Sequence, residues 1–456
     1  MGAEVDNHSS QALQLLEEDR SAELDELLND LHPVELVSVI TAAPADVQDD
    51  LIKRISGLDQ ISELIAYGSD HIRQHALELL DEPRIAAVIR RLELDDAADV
   101  IATLSRRKQT AILRRVSPKQ ARQIRNLLAY DEETAGGIMT PLCLRYLPYL
   151  TADETLRDIR SRLHSEEIDP DIDLTYVYVV DENKVLQGVC SLREILTAAP
   201  DTLLSELMNE QIVSVSPEDD QEKVARMIAD YDFSSLPVVS PTDNTLLGII
   251  TVDDVLDVIE DEHTEDMLKL AGTMDEDIAQ STSWSAIKSR FPWLVASWLG
   301  GLVGALLLGE FASTLEKIVA LAFFMPVVFG MAGNVGSQSS TITVRGIATG
   351  EVSEHRSFGR IKKEALTGLS LGLIFGCLLA GAAFVLFRQP ILSIIVGLSI
   401  TITMTCASSF GAILPLFFRR FGVDPAVASG PLVTTSMDLL SITIYFTVAT
   451  MLLQYW

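Results

Sequence analysis

The chain has 456 residues, 48% of them hydrophobic and 22% charged, with 35 Lys/Arg against 65 Asp/Glu and a formal net charge of −30. This composition excludes bulk disorder, collagen-like repeats and a disulfide scaffold, and the length allows about three domains. So acidic a balance also excludes nucleic acid as a partner, because phosphate binding needs a basic face, and it makes cations the natural counter-charge.

The charge is uneven. Eleven Lys/Arg and seven Asp/Glu lie from position 286 onward, which leaves 24 basic and 58 acidic side chains, a balance of −34, before it. An acidic soluble part is therefore joined to a nearly neutral apolar part. Four dispersed cysteines without a C-x-x-C pattern indicate neither a zinc site nor a disulfide framework. The opening MGAEVDNHSS lacks the basic region and apolar core of a signal peptide.

After an N-terminal tail at 1–21, residues 22–136 read as an acidic domain of short helices. LDEPRIAAVIRRL, DDAADVIATLS, RKQTAILRRV and SPKQARQIRNLLAY each carry apolar residues at i, i+3, i+4 and i+7. Asp, Ser or Pro marks each start, capping free N–H groups or presetting φ in the first turn. Stacked short helices of this kind predict a superhelical module.

A different pattern occupies 137–262 and occurs twice. MTPLCLRYLPYLTADETLRDIRSRL with YVYVVDENKVLQGVCSLREIL is followed by MNEQIVSVSPEDDQEKVARMIADY with SSLPVVSPTDNTLLGIITVDDVLDVI. Each copy predicts a strand after its Met, a helix, a strand, a polar turn, a strand and a closing helix, and the pair resembles tandem CBS domains. Thr251 and Asp254 form the T-x-x-D that in that superfamily contacts a nucleotide, with Ser191 and Glu194 at the matching place in the first copy. A helix cap at Thr251 is the structural alternative. Phe233 joins Thr251 and Asp254 as a candidate contact for ATP or another adenine nucleotide. Residues 263–290 read as a long amphipathic connecting helix.

From 291 to 456 charge-free apolar runs recur at about 292–309, 318–344, 365–387, 391–418 and 430–456, each long enough to cross ~30 Å of hydrocarbon. Five spans put the two termini on opposite sides. Arg345, Arg356, Arg360, Lys362 and Lys363 between spans two and three, with Arg419 and Arg420 between four and five, place the acidic part in the cytosol and Trp456 outside.

Asp438 is read as the one charged residue inside a run. Intramembrane carboxylates cost at least ~2.5–3.5 kcal/mol and mark ion or proton paths. In GPLVTTSMDLLSITIYF, Gly430, Thr434 and Asp438 recur every four residues and share a helix face. The second run contains FGMAGNVGSQSSTITVRG, where Gly330, Gly333 and Gly336 are expected to allow close backbone approach or local unwinding, and Asn334, Ser337 and Gln338 add uncharged oxygens. Oxygen donors without soft ligands suit a hard cation such as Mg²⁺.

The order of helical acidic domain, CBS pair, connecting helix and five spans resembles the MgtE family of magnesium channels and transporters over essentially the whole chain. DDAAD (95–99), ETAGGIMT (133–140), TVDDVLDVIEDEHTED (251–266), PVVFGMAGNVGSQSSTI (326–342) and GVDPAVASGPLVTTSMD (422–438) carry the resemblance. It implies a multidomain protein: an all-α superhelical N domain, α/β tandem CBS domains and an α-helical transmembrane domain with five spans. It further implies a multi-pass protein of the cell (inner) membrane, a homodimer in the lipid bilayer, whose pore between subunits holds hydrated Mg²⁺ at Asp438. Mg²⁺ would be both substrate and regulator, sensed at Asp95 and Asp99, at Glu222, Asp232, Asp254 and Asp257, and at Glu260, Glu262, Glu265 and Asp266. Binding would cancel repulsion between acidic surfaces and close the path. Proton coupling, a broader Co²⁺/Mn²⁺ range and a membrane-anchored nucleotide sensor are the rival readings. The sequence holds no nucleophile–base arrangement, P-loop or hydrolase motif that points to an enzyme.

Overall fold

The structure is a computed structural model of the full chain. It describes all residues except 1–7, 9, 10, 13, 17, 19, 56, 166–171, 274–282, 350, 351, 353–356, 429 and 456. Arg356 and Trp456, used above for orientation, and the middle of the connecting segment lie outside the described residues. Two compact units divide the chain, residues 1–262 and 263–456.

In the first unit short helices follow one another: α1 (Ser21–Asp30), α2 (Pro33–Ala42), α3 (Ala45–Arg54), α4 (Leu58–Tyr67), α5 (Asp70–Leu79), α6 (Glu82–Ile89), α7 (Leu94–Ala102), α8 (Arg106–Leu113) and α9 (Pro118–Leu127). Their starts follow capping chemistry where the side chain reaches. Asp81 accepts from the Arg84 N–H ahead of α6, and Ser117 accepts from the Gln120 N–H ahead of α9. The apolar stripes meet along the inside, where Leu36, Ile40, Ile61, Leu64, Ile85, Ile89 and Ile101 are fully buried.

The repeat follows. Strand β1 (Leu144–Tyr146) lies parallel to β2 (Tyr176–Val180), which pairs antiparallel with β3 (Leu186–Ser191). In the second copy β4 (Ser235–Val239) pairs with β5 (Leu246–Thr251). The strand expected after Met208 is reduced to two isolated bridges, Asn209 to Val189 (antiparallel) and Val215 to Val238 (parallel). The helices are α10 (Ala152–His164), α11 (Leu192–Thr197), α12 (Leu204–Leu207), α13 (Gln221–Tyr231) and α14 (Val252–Ala271). Thr151 with Glu154 and Ser191 with Glu194 form capping boxes that fix the starts of α10 and α11. Lys184 and Asn244, both at positive φ, sit in the turns of the two hairpins, and the turns pair with each other through Leu186 N–H to Asn244 O (3.1 Å) and Leu246 N–H to Lys184 O (3.0 Å). The core is shared unevenly. Buried residues of the short helices are continuous with Val224, Ile228, Leu236, Ile250 and Val255 of the second copy, while the first copy has its own cluster around Val177, Val179 and Cys190.

The second unit holds five helices long and apolar enough to cross a membrane: α15 (Ser283–Glu310), α17 (Leu321–Ala348), α18 (Ser357–Phe387), α19 (Pro390–Arg420) and α20 (Pro431–Tyr455), with the short α16 (Ala312–Lys317) after the first. Central α19 packs on α18 through small residues. A Cβ on Gly372 would stand 2.8 Å from Thr401 O, and one on Gly376 2.7 Å from Gly397 O. Close backbone approach of this kind is how helices bind without a hydrophobic drive in lipid. Far along α20, buried Tyr445 donates to Leu321 O (2.9 Å), tying α20 to the start of α17.

The connecting segment departs from expectation. Helix α14 begins at Val252, inside the repeat, and stops at Ala271, where Gly272 adopts φ +75°, rather than running from 263 to 290.

Candidate functional site

Thr434 and Asp438 lie one turn apart on α20 and both are exposed on the surface of the single chain. Gly430, at the start of that helix, is buried; its carbonyl accepts from the Thr434 N–H (3.3 Å). What covers Gly430 is the end of α14: a Cβ there would lie 3.2 Å from both Lys269 O and Leu270 O. Lys269 is held beside it, its Nζ 2.7 Å from Asp424 and 2.6 Å from Glu265. Burial alone would lower the Lys269 ammonium's pKa, but these two hydrogen-bonded carboxylates outweigh it and hold it raised.

On α17, Asn334 is exposed and Ser337 half-buried. Gly336 between them meets α20, where its Cβ would stand 2.8 Å from the Met437 side chain, next to Asp438. Gly330 and Gly333 meet nothing within 4 Å, and the helix runs unbroken through all three glycines. The close approach expected of three glycines is thus made, within one chain, by Gly336 alone, and the backbone does not unwind.

The helices extend beyond the apolar runs, so Asp438, the one charge inside a run, is not the only carboxylate inside a span-length helix. Glu364 lies seven residues into α18 and is 6% exposed. The apolar run begins at 365, one residue beyond it, so hydropathy alone passed it by.

In the first unit α7 and α14 bring acidic side chains together. Asp95 is buried, and its Oδ2 accepts no hydrogen bond among the described residues. Burial first, then the charges of Asp254, Asp96 and Glu93, push its carboxyl well above the usual range. Asp99 is pushed up to about 7 by burial, against the pull of Arg73 and with the help of Asp96, Glu132 and Asp254. Asp254 reaches about 6, burial outweighing the hydrogen bond from Thr251. Asp257 is raised by burial and by Glu260, and Asp96 by burial, Arg73 opposing and Asp257 adding. Mutual repulsion is therefore built into the α7–α14 face. No three such groups converge on one point among the described residues.

The remaining predicted positions separate. Glu222 pairs with Arg226 along α13 (2.8 Å), and Asp232 is the exposed, left-handed residue that ends that helix. Glu262 accepts from Gln221 (2.7 Å), and Glu265 belongs to the Lys269 contact. Glu260 is exposed and Asp266 half-buried on α14. Sequence reasoning left out Asp96, although it stands in the quoted DDAAD, and Asp424, whose role depends on Lys269, 155 residues before it.

The candidate nucleotide residues line different hollows. Phe233 lines a cavity of about 280 Å³ with Tyr176, Ser191, Glu194, Asn209 and Ser235. Thr251 lines another, of about 460 Å³, with Glu93, Thr140, Asp173 and Asp253. The Thr251 hydroxyl donates to Asp254 Oδ2 (2.5 Å), so the first and last residues of the T-x-x-D contact each other.

A chain with five such helices, an intramembrane carboxylate and an acidic α/β part has the layout of a multi-pass membrane transporter for cations. Residues 325–448 match the family described as "Divalent cation transporter", residues 31–133 the MgtE intracellular N domain, and residues 135–201 and 204–261 the CBS domain. The magnesium transporter MgtE of Thermus thermophilus is 40% identical over 371 residues, 79% of this chain and 80% of that one. Its counterpart in Bacillus subtilis is 30% identical over 437 residues, 96% and 95% of the two chains. A solved cytosolic domain of the Mg²⁺ channel MgtE in complex with ATP is 32% identical and covers 55% of this chain and 99% of its own, with a TM-score of 0.49. The chain belongs to the MgtE family.

Proposed function

We propose that this protein carries Mg²⁺ into the cell along a path between two copies of the chain, lined by Asp438, Thr434, Gly430, Asn334 and Ser337. The observation that carries the reading is the exposure of Asp438 on a span-length helix. A bare carboxylate does not face lipid, so that face needs water and a second protein surface beside it. The adjacent polar face of α17, with exposed Asn334 and Gln338 and the unoccupied approach at Gly330 and Gly333, supports the same answer. Mg²⁺ sheds water reluctantly and is bound through one or two carboxylates. Asp438 then attracts the hydrated ion and accepts hydrogen bonds from its waters, while Thr434 and the Gly430 carbonyl guide the same shell. The membrane potential supplies the drive, about 4.6 kcal/mol per 100 mV for a divalent ion. The acidic part lies in the cytosol and the C-terminus outside.

Closure is proposed to come from cytosolic Mg²⁺. At neutral pH the α7–α14 carboxylates repel one another, and a hydrated divalent ion that bridges them draws the two helices together. The end of α14 lies over Gly430, at the mouth of the proposed path, so order in α14 favours the closed state. Regulation by an adenine nucleotide is proposed at the Phe233 cavity, whose Tyr176 and Phe233 rings suit a base and whose Ser191 and Glu194 suit a ribose. Its volume is near the ~300 Å³ lower end of small-ligand clefts.

The test is Mg²⁺ flux into proteoliposomes with Mn²⁺ and Co²⁺ as competitors. Uptake that follows the membrane potential without a proton gradient supports the reading, and strict dependence on a proton gradient replaces it with coupled transport.

A further inference from the structure

Glu364 is a buried carboxylate that the proposed path does not use, and three helices converge on it. From α17, Ser339 donates to its Oε2 (2.7 Å). From α19, Ser408 donates to its backbone oxygen (2.8 Å) and lies 2.9 Å from Ser339 Oγ. One turn before it on α18, Arg360 brings Nη2 to 3.0 Å from Oε1. Ser339 and Ser408 are 2% and 0% exposed, so no water competes for these bonds. A charge is tolerated in such a place only while its partners hold it, and removing one partner leaves the other polar groups buried and unpaired.

The neighbouring turn shows what this junction holds. Gly336 is three residues before Ser339 on α17, and Gly411 three residues after Ser408 on α19. A Cβ on Gly411 would lie 2.2 Å from Gly336 O, so the two backbones are in direct contact there. On its other side Gly336 abuts Met437, the residue before Asp438. Helices α18 and α19 are locked by their glycine seam; α17 meets α19 backbone to backbone at Gly336 and Gly411, and one turn on the Ser339 bond ties α17 to Glu364 of α18. The sideways position of α17 sets where Asn334 and Ser337 stand relative to Thr434 and Asp438.

We infer that Glu364 is a positioning residue for the ion path: without touching the ion, it sets the spacing between the α17 and α20 faces through Ser339 and Ser408, and so sets the size of hydrated cation the path accepts. The inference rests on the proposed transport function. A role in stability alone would scale the flux of every cation equally, so the informative quantity is a ratio. Wild type, Glu364→Ala, Glu364→Gln, Ser339→Ala and Asp438→Ala are reconstituted full-length, and Mg²⁺ and Ca²⁺ fluxes are measured per correctly inserted molecule. Glu364→Ala is expected to lower the Mg²⁺/Ca²⁺ flux ratio about tenfold, and Ser339→Ala, which spares the charge pair, by about threefold. Glu364→Gln keeps an acceptor for Ser339 and is expected to retain a ratio near wild type. An unchanged ratio in Glu364→Ala or Ser339→Ala overturns the inference. So does a Glu364→Gln shift as large as that of Glu364→Ala, because the charge itself would then act on the ion. Wild-type Mg²⁺ flux that Asp438→Ala abolishes leaves the transport function standing whatever the Glu364 variants do, and absence of wild-type flux overturns both.

Discussion

Asp438 faces outward from its own chain, so in the proposed path its contribution is electrostatic rather than structural. Replacing it should remove the attraction for the ion without a packing penalty. Asp438→Asn is expected to insert and melt like the wild type while Mg²⁺ flux falls by at least about a hundredfold, which corresponds to ~2.8 kcal/mol. Flux in proteoliposomes, with circular dichroism as the control, checks both halves. The two touching glycines give a sharper contrast. A methyl on Gly411 meets the Gly336 carbonyl at 2.2 Å, whereas a methyl on Gly336 meets the movable Met437 side chain at 2.8 Å. Gly411→Ala should therefore cost about 1–3 kcal/mol of stability and most of the flux, and Gly336→Ala clearly less. Thermal unfolding in detergent measures the order of the two.

The acidic face makes a prediction with a definite sign. Asp99 at about 7 and Asp254 at about 6 stand above their ordinary value of 3.8. Such groups favour the folded arrangement when protonated, and that contribution is lost as pH rises through the raised values. In chelator, hydrogen-exchange protection of residues 94–102 and 252–262, corrected for the intrinsic rate, should fall between pH 5.5 and pH 8. Mg²⁺ should restore it at pH 8 and add little at pH 5.5. Protection that rises with pH in chelator would mean that the carboxylates are not crowded.

At the scale of elements, much of this architecture can be read from local signals. The helix starts at Asp81 and Ser117, the capping boxes at Thr151 and Ser191, and the five apolar helices all depend on neighbours within a few residues. The features that escaped depend on distant ones. Glu364 is buried because Ser339 and Ser408, 25 and 44 residues away, converge on it. Asp424 matters because Lys269 reaches it. The strand after Met208 shortens to isolated bridges because Asn209 pairs with Val189 of β3 while only Val215 finds a partner in β4. The connecting helix ends early because Gly272 takes a conformation closed to most other residues. The docked end of α14 gives a proteolytic test: Lys269, paired with Glu265 and Asp424, should resist trypsin in millimolar Mg²⁺ and be cut readily in chelator. NaCl at equal ionic strength screens but does not bridge, so it should protect much less.

For the whole molecule, the shared core changes which experiment is informative about sensing. The short helices and the second CBS copy bury a continuous set of side chains, so deleting the first 130 residues would bare an apolar face as well as remove Asp95 and Asp99. The joint substitution Asp95→Asn with Asp99→Asn keeps that core and should leave conduction open at internal Mg²⁺ that closes the wild type. Helix α14 has a mechanical consequence of its own. Its 20 residues make an unbroken rod about 30 Å long, with Asp254 and Asp257 at one end and Lys269 at the other. A tilt of about 5° about the acidic end swings the far end by roughly 2.6 Å, close to the width of one water molecule, at the 1.5 Å rise per residue of an α-helix. Under the proposed closure the rod would act as a lever, turning repulsion among a few carboxylates into a displacement the size of the ion's own hydration layer. His263, exposed near its middle, is where the lever can be cut. Proline there removes a hydrogen bond and kinks the helix, so His263→Pro should conduct normally yet no longer close when internal Mg²⁺ rises.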